Sequence, residues 1–488
     1  MRENIWDGPA AAGRLAEGAS LGETVDTADP SAWIALDAGA RERGCTYGEA
    51  SWLPSAWERT EGGRALTDAL RGGQDTAADG LLTEARLALG LCHRNGRIRA
   101  AALARAAACP GLLPLVVVRC SDWAPPVREE ARRLLTELLD AESAVRLLPL
   151  ILRIGRRGRG DFATDLATGV LRAAPRGTLV PLYADADRTV RRYAYRLAVE
   201  EGHLSPAELA GVAARDDDTV LQRLCAEAAL AASAEGHVDD DVLEPLLGAR
   251  NPQVRSAGVT ALRRAGRGER AVGYLGDRAG VVRACARYVV RQSGGDPVEW
   301  YRRRCADAGD PALSAGVVSG LAECGDRSDA EALWALTAHP DPVIRSRAVG
   351  GLRLLDVLDV RRLRELLDDP APGVVREATS ALLPSARLLD AGWLLERLAV
   401  ERARETRVSA FRLLGAHDGL VRLRAAVALV DDPDGGLRHR ARQSVQRWHP
   451  TADVPAGAAE VGELLGRARH LFSDHVLKRL LWEAGLRA

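Results

Sequence analysis

The chain has little of what compact domains use to fill a core. Phenylalanine occurs three times and methionine once in 488 residues, and aromatics together make 4%. One globule of this length would outgrow a single core, so the chain is either several domains or one elongated array. The apolar 47% is carried mainly by Ala, Leu and Val, and Ala and Leu are good helix formers suited to thin helical layers. Lysine is nearly missing too. Lys478 stands alone, and arginine supplies the other 66 of 67 basic residues. That bias reads as a GC-rich coding background, so no single Arg counts as evidence of selection for nucleic acid. Acidic and basic residues balance at 67 each, which excludes a whole-chain field gathering polyanions. The balance is uneven along the chain: residues 1–90 carry 8 basic and 15 acidic side chains, and residues 91–160 carry 13 and 6.

Long apolar runs are also absent. The longest, around Leu112 to Val118, is far too short to span a bilayer. Met1 to Arg14 lacks a basic stretch followed by an apolar one. The expectation is a soluble cytoplasmic protein with no membrane partner. Eight cysteines (Cys45, Cys92, Cys109, Cys120, Cys225, Cys285, Cys305 and Cys324) show no CxxC and no repeated spacing, so buried reduced thiols are expected.

Catalytic signatures are missing in the same way: no HExxH, GxGxxG or Walker sequence occurs. Gly18-Ala19-Ser20-Leu21-Gly22 matches GxSxG by letter, but no buried strand precedes it to make a nucleophile elbow. His470 and His475 are five apart and fall on different helix faces, which argues against a metal site. The basic loop Gly155 to Gly160 lacks the order of a P-loop and reads as a flexible turn. Asp216 to Asp218 and Asp239 to Asp241 precede helices, where acids favour the dipole. The sequence therefore assigns no catalytic residue, cofactor or metal.

What is present is a repeat. Val282, Leu313, Ile344, Val375, Thr406 and Leu437 follow one another at 31-residue steps. Four residues after each come Ala286, Val317, Ala348, Thr379, Ala410 and Ala441, and eight after each Val290, Leu321, Leu352, Leu383, Leu414 and Val445. Spacing of i, i+4 and i+8 draws one stripe on a helix, and a small residue in its middle lets a neighbouring helix come close. Asp310-Pro311, Asp341-Pro342 and Asn251-Pro252 read as helix starts, an N-cap acceptor followed by a preset φ. Segments such as Ser328 to His339 and Val360 to Leu367 supply a first helix, giving pairs of helices of about 10 to 13 residues. Looser copies begin at Val254, Val220, Val190, Val127 and Ile98, with a degenerate one at Phe162, Leu166 and Val170. The predicted fold is all-α, an α-solenoid superhelix of about twelve 31-residue pairs, each too thin to bury its stripe alone. Leu352 and Leu383 are expected at buried contacts between repeats.

The pattern Asp/Asn-x-x-Val-Arg-x-x-Ala-x-x-x-Leu, as in Asn251 to Leu262 and Asp341 to Leu352, resembles HEAT repeats, particularly the short kind also found in phycobilisome-lyase-like proteins. The resemblance spans roughly residues 80 to 450 and implies fold far more than function. Residues 1–75, with Trp6, Trp33, Trp52 and Trp57, are read as an N-terminal cap or small helical subdomain, partly flexible, and 76–450 as the solenoid. Residues 451–488 are read as a capping helix pair anchored by Trp482.

Two sets of arginines follow from the register. The resemblance implies that Arg99, Arg128, Arg191, Arg255, Arg283, Arg345, Arg376, Arg407 and Arg438 form a structural ladder with Asp or Asn of neighbouring turns. Arg192, Tyr195, Arg196, Arg287, Tyr288, Arg291, Arg353, Arg412 and Arg442 lie off the apolar stripe, on helices that usually line the concave surface of such arrays, and form the candidate binding set. The leading functional reading is a non-catalytic scaffold or adaptor for a protein partner. The alternative is a nucleic-acid binder of the DNA-glycosylase-like kind, and the third a lyase- or chaperone-like accessory.

Overall fold

Where the 31-residue copies fall, short helices come in pairs. The computed structural model describes residues 7–42, 54–71, 82–233 and 237–486, and no strand forms among them. The chain makes two compact units, Met1–Ala232 and Ser233–Ala488. Within each, helices pack mainly on their neighbours in chain order, an all-α array of HEAT-like pairs. No helix of the described residues is long and apolar enough to cross a membrane.

In the second unit the later helix of each pair carries the stripe. Gly280–Gln292, Ala315–Cys324, Pro342–Leu354, Pro372–Leu382 and Arg404–Leu414 pack one against the next. Ile344, Ala348 and Leu352 are all buried, as are Val282, Ala286 and Val290. A side chain added at Gly351 would meet Ala322 at 3.0 Å and Leu333 at 3.1 Å. That is the close approach a glycine beside the stripe permits.

Several expectations need correcting. Leu383 is only half-buried: the chain tightens into a 3-10 turn at Leu383–Leu388, which rotates this side chain off the seam, and Leu382 is buried in its place. Asp310-Pro311 does not start a helix. Arg304 holds Asp310 at 2.9 Å in a turn, and Ser314 caps Ala315–Cys324 instead, leaving Leu313 half-buried before the first turn. In Asp161–Ala173 the seam is Ala163, Ala167 and Leu171, one residue beyond Phe162, Leu166 and Val170, and Phe162 lies under the Arg132 guanidinium. In Thr219–Ala232 the seam likewise runs through Leu221, Cys225 and Ala229, leaving Val220 exposed. First helices are shorter than expected. Val360–Glu365 has 6 residues and Ala330–Leu336 has 7, while Gly268–Tyr274 is wholly 3-10, because two buried leucines such as Leu363 and Leu367 suffice to seat one.

Both ends of the chain pack onto their neighbouring helices, and one expectation for them, the Trp482 anchor, fails. Trp33 and Trp57 are buried, and they belong to one continuous core that runs from Ala11 to Leu197. Trp57 donates to the Ala40 carbonyl at 2.8 Å. Trp6, Trp52 and Cys45 lie outside the described residues. The acidic excess of the first segment meets the basic excess of the next inside this unit: Asp37 binds Arg41 and Arg119, and Glu58 lies 2.6 Å from the His93 imidazole. At the other end Trp482 is 77% exposed and anchors nothing. Val461, Leu465 and Leu480 seat the last two helices, Ala459–Arg467 and Asp474–Glu483, in a core that includes Trp448. Cys92, Cys120, Cys225 and Cys305 are buried free thiols, and burial pushes the last three up to about 12.

Leu352→Ala is expected to cost about 2–5 kcal/mol by urea unfolding. Leu383→Ala should cost about 1 kcal/mol or less. Equal costs would mean that the seam does not turn away at Leu382.

Candidate functional site

The arginines of the array divide by whether an acidic partner waits for them. Arg255 lays two nitrogens on the Asp277 carboxylate at 3.0 and 2.8 Å and a third on the Ala249 carbonyl at 2.7 Å. Arg345 repeats this with Asp369 and the His339 carbonyl, and Arg99 with Asp122 and the His93 carbonyl. The same Asp also folds its own loop. Asp277 accepts from the Ala279 N–H, and its carbonyl takes Arg283 at 2.7 Å. Asp432 accepts from the Asp434 N–H, while Arg407 reaches its carboxylate and Arg438 its carbonyl. Asp122 does likewise with the Ala124 N–H and Arg128. Each link is thus one residue serving as turn former, charge partner and carbonyl anchor. The acceptors lie at or near the caps, and in these links the Asp stands two residues before the N-cap.

Four members of the expected ladder find no Asp carboxylate among the described residues: Arg128 and Arg438 keep only bonds to backbone carbonyls, those of Asp122 and Asp432 foremost, and Arg283 and Arg376 depart further. Arg283 turns its other nitrogens to Glu323, because the loop before Ala315–Cys324 has Ala312 at the Asp place. Arg376 is exposed and makes no ion pair among the described residues. Its Asp place holds Glu401, which is exposed and forms no comparable turn.

The candidate binding set separates in the same way. Arg192 is bidentate to Asp218, and Arg287 binds Glu323 at 2.7 Å. Arg442 binds the Val430 carbonyl and Asp431. Tyr195 is no surface residue: it is buried with its ring 4.7 Å from Tyr183, because its position falls beside the seam residue Ala194. Tyr288 is 46% exposed with the Arg263 guanidinium 5.9 Å from its ring. Arg196, Arg291 and Arg412 are exposed. Arg353 is exposed and 3.9 Å from Glu377.

Arg353 stands in an open groove across the second helices, the arrangement with most binding character. One part, about 220 Å³, is bordered by Arg283, Glu323, Gly350 and Leu354. The adjoining part, about 540 Å³, is bordered by Pro342, Val343, Pro372 and Arg376. Ser346, Arg347 and Glu377 line both. Leu354 and Val343 expose 60% and 51% of their surface here, beside Arg347 and Arg376, for which no acceptor is found among the described residues. Sequence reasoning singled out neither Arg347 nor the two apolar residues. The available signal was the pair Val343 and Leu354 on the polar face of an otherwise regular helix.

Other motifs resolve simply. Ser20 caps a short helix in a capping box with Glu23. Asp218 caps Thr219–Ala232 as well as binding Arg192, and Asp217 pairs with Arg188 and Arg191. Asp240 pairs with Arg267. The turn after Gly155 places Arg156 in a pocket of about 440 Å³ with Arg153, Asp187 and Thr189. His470 and His475 are both exposed, and no group of three or more metal-ligating side chains occurs among the described residues.

No family model and no curated protein matches this chain. Among solved structures, it is similar to a chain from work on tubulin recruitment and assembly by microtubule polymerases with tumor overexpressed gene (TOG) domain arrays. That alignment covers 87% of this chain and 99% of the other, at 12% identity and a TM-score of 0.22. A likeness of this degree extends no partner to this chain.

Arg255→Ala should cost about 1–3 kcal/mol by leaving the partly covered Asp277 carboxylate unpaired, and Arg376→Ala within about 0.5 kcal/mol. Similar costs would contradict the division between laddered and free arginines. A pH dependence follows too. Arg192 holds the Asp218 carboxyl below the usual range. Burial pushes Asp277 and Glu323 up, but Arg255 on one and Arg283 with Arg287 on the other bring both below it. Carboxylates lowered in the folded state stabilise it fully above their unfolded values, about 4, and lose that contribution as pH falls through the folded ones. The thermal midpoint should stay level from pH 7 to about 5 and drop below about pH 4.

Proposed function

We propose that this chain is a non-catalytic scaffold whose second-helix groove, from Arg283 to Glu377, takes an extended segment of a partner protein. The observation that carries this reading is the pairing of exposed Leu354 and Val343 with Arg347 and Arg376 in one groove. An apolar surface beside cations without partners suits a segment in which acidic and apolar side chains alternate. The charges would steer and orient it, and the apolar contacts would supply affinity. Glu323 and Glu377 set a counter-pattern that disfavours a uniformly acidic chain such as nucleic acid. The nucleic-acid reading has less support: of its two tyrosines only Tyr288 is exposed, and Arg192 and Arg287 are held by carboxylates.

A photo-crosslinking residue at Leu354 is expected to yield a discrete protein adduct in cells. The Arg347→Glu, Arg376→Glu double variant should reduce it by about tenfold or more, equivalent to about 1.4 kcal/mol. An adduct unchanged by the double variant, or crosslinks to nucleic acid alone, would overturn this reading.

A further inference from the structure

A further pocket, lined by residues 422–448, has a different character and does not depend on the scaffold reading. It measures about 370 Å³ and is lined by Arg422, Arg440, Gln443, Ser444, Arg447 and Trp448. Arg422 comes from Gly419–Ala428. Arg440 and Ser444, four residues apart on the helix Gly435–Gln446, and Arg447, its C-cap, follow one stripe. Trp448 is 3% exposed and its indole donates to the Gly419 carbonyl at 2.7 Å, so it forms a rigid wall.

The charge in this pocket is unbalanced. Neighbouring arginines are occupied: Arg404 by Asp434, Arg407 by Asp432, Arg424 by Glu460 and Arg442 by Asp431. The grooves described above each contain a carboxylate among their lining residues, Glu377, Glu323 or Asp187. This pocket has none, and its three guanidinium groups make no ion pair among the described residues. Three like charges facing one cavity repel one another, and an anion entering it removes that repulsion while satisfying their donors. The Gln443 amide is engaged with His439 at 2.9 Å, so the Ser444 hydroxyl is the neutral donor free to join them.

We infer that this pocket is an oxyanion site for a phosphate monoester. Its lining favours a compact dianion over a strand. Arg422 from one helix and Arg440 and Arg447 from the next border a single pocket of about 370 Å³, and the one aromatic ring in it is too buried to stack on a base. The phosphate is either free or carried on a partner's phosphorylated side chain, since guanidinium groups recognise the same oxygens in both.

Calorimetric titration of the full chain with inorganic phosphate, and with a phosphoserine peptide beside its unphosphorylated form, tests the site. Saturable phosphate binding is expected, reduced at least tenfold in an Arg422→Gln, Arg440→Gln, Arg447→Gln variant whose circular dichroism is unchanged. Ser444→Glu places a carboxylate among the guanidinium groups and should raise the thermal midpoint while abolishing phosphate binding, which keeps the test independent of the triple variant's folding. A phosphoserine peptide binding at least tenfold tighter than inorganic phosphate assigns the ligand to a partner chain, and equal affinity assigns it to free phosphate. Binding that persists in both variants, no saturable binding to either probe, or preference for an oligonucleotide with a salt slope of several phosphates would overturn the inference.

Discussion

A guanidinium group reaching forward from one helix pair to the Asp carboxylate ahead of the next is the interaction on which the architecture depends. Apolar seams alone would let thin layers of Ala, Leu and Val slide, because dispersion between small side chains has little directional preference. The bidentate bond has a direction and a length. Arg255 on Asp277, Arg345 on Asp369 and Arg407 on Asp432 each fix one layer against its neighbour, and the same Asp shapes the turn that launches the following helix. Burying these charges is favourable where both carboxylate oxygens are engaged, as under Arg255 and Arg345; Arg407 makes one bond to Asp432 and leaves its Nε without a partner.

This allocation also determines where binding can occur. An arginine claimed by the ladder or by a neighbouring carboxylate, as Arg192 and Arg287 are, has its charge already matched and gains less from a ligand. Two groups of the arginines left over line pockets of contrasting chemistry. Along the groove from Arg283 to Glu377 they alternate with acids and exposed aliphatic residues. Around Ser444 they stand together without any acid. A mixed surface suits a peptide of mixed character, and a concentrated one suits a compact anion. The two places share no lining residue.

The first unit uses the same chemistry for a different end. Arg99, Asp122, Arg119, Asp37 and Arg41 form a buried chain of ion pairs joining the N-terminal helices to the repeats. Asp37 with Arg119 and Glu58 with Arg94 are ion pairs that join the oppositely charged segments 1–90 and 91–160 among the described residues.

The sequence by itself determined the helix pairs, the 31-residue period and the buried stripe through Ile344, Ala348 and Leu352, because periodicity reports directly on which face leaves water. It also showed which arginines share a register, though not which of them find a carboxylate. Local deviations were beyond it: the 3-10 turn at Leu383, the one-residue shift at Phe162 and the exposure of Trp482 depend on what the neighbouring layer leaves to be filled. Tertiary structure alone decided which charges are spoken for. Arg345 and Arg376 occupy the same repeat position, and only the loop of the next layer, Asp369 in one case and Glu401 in the other, makes one structural and leaves the other available.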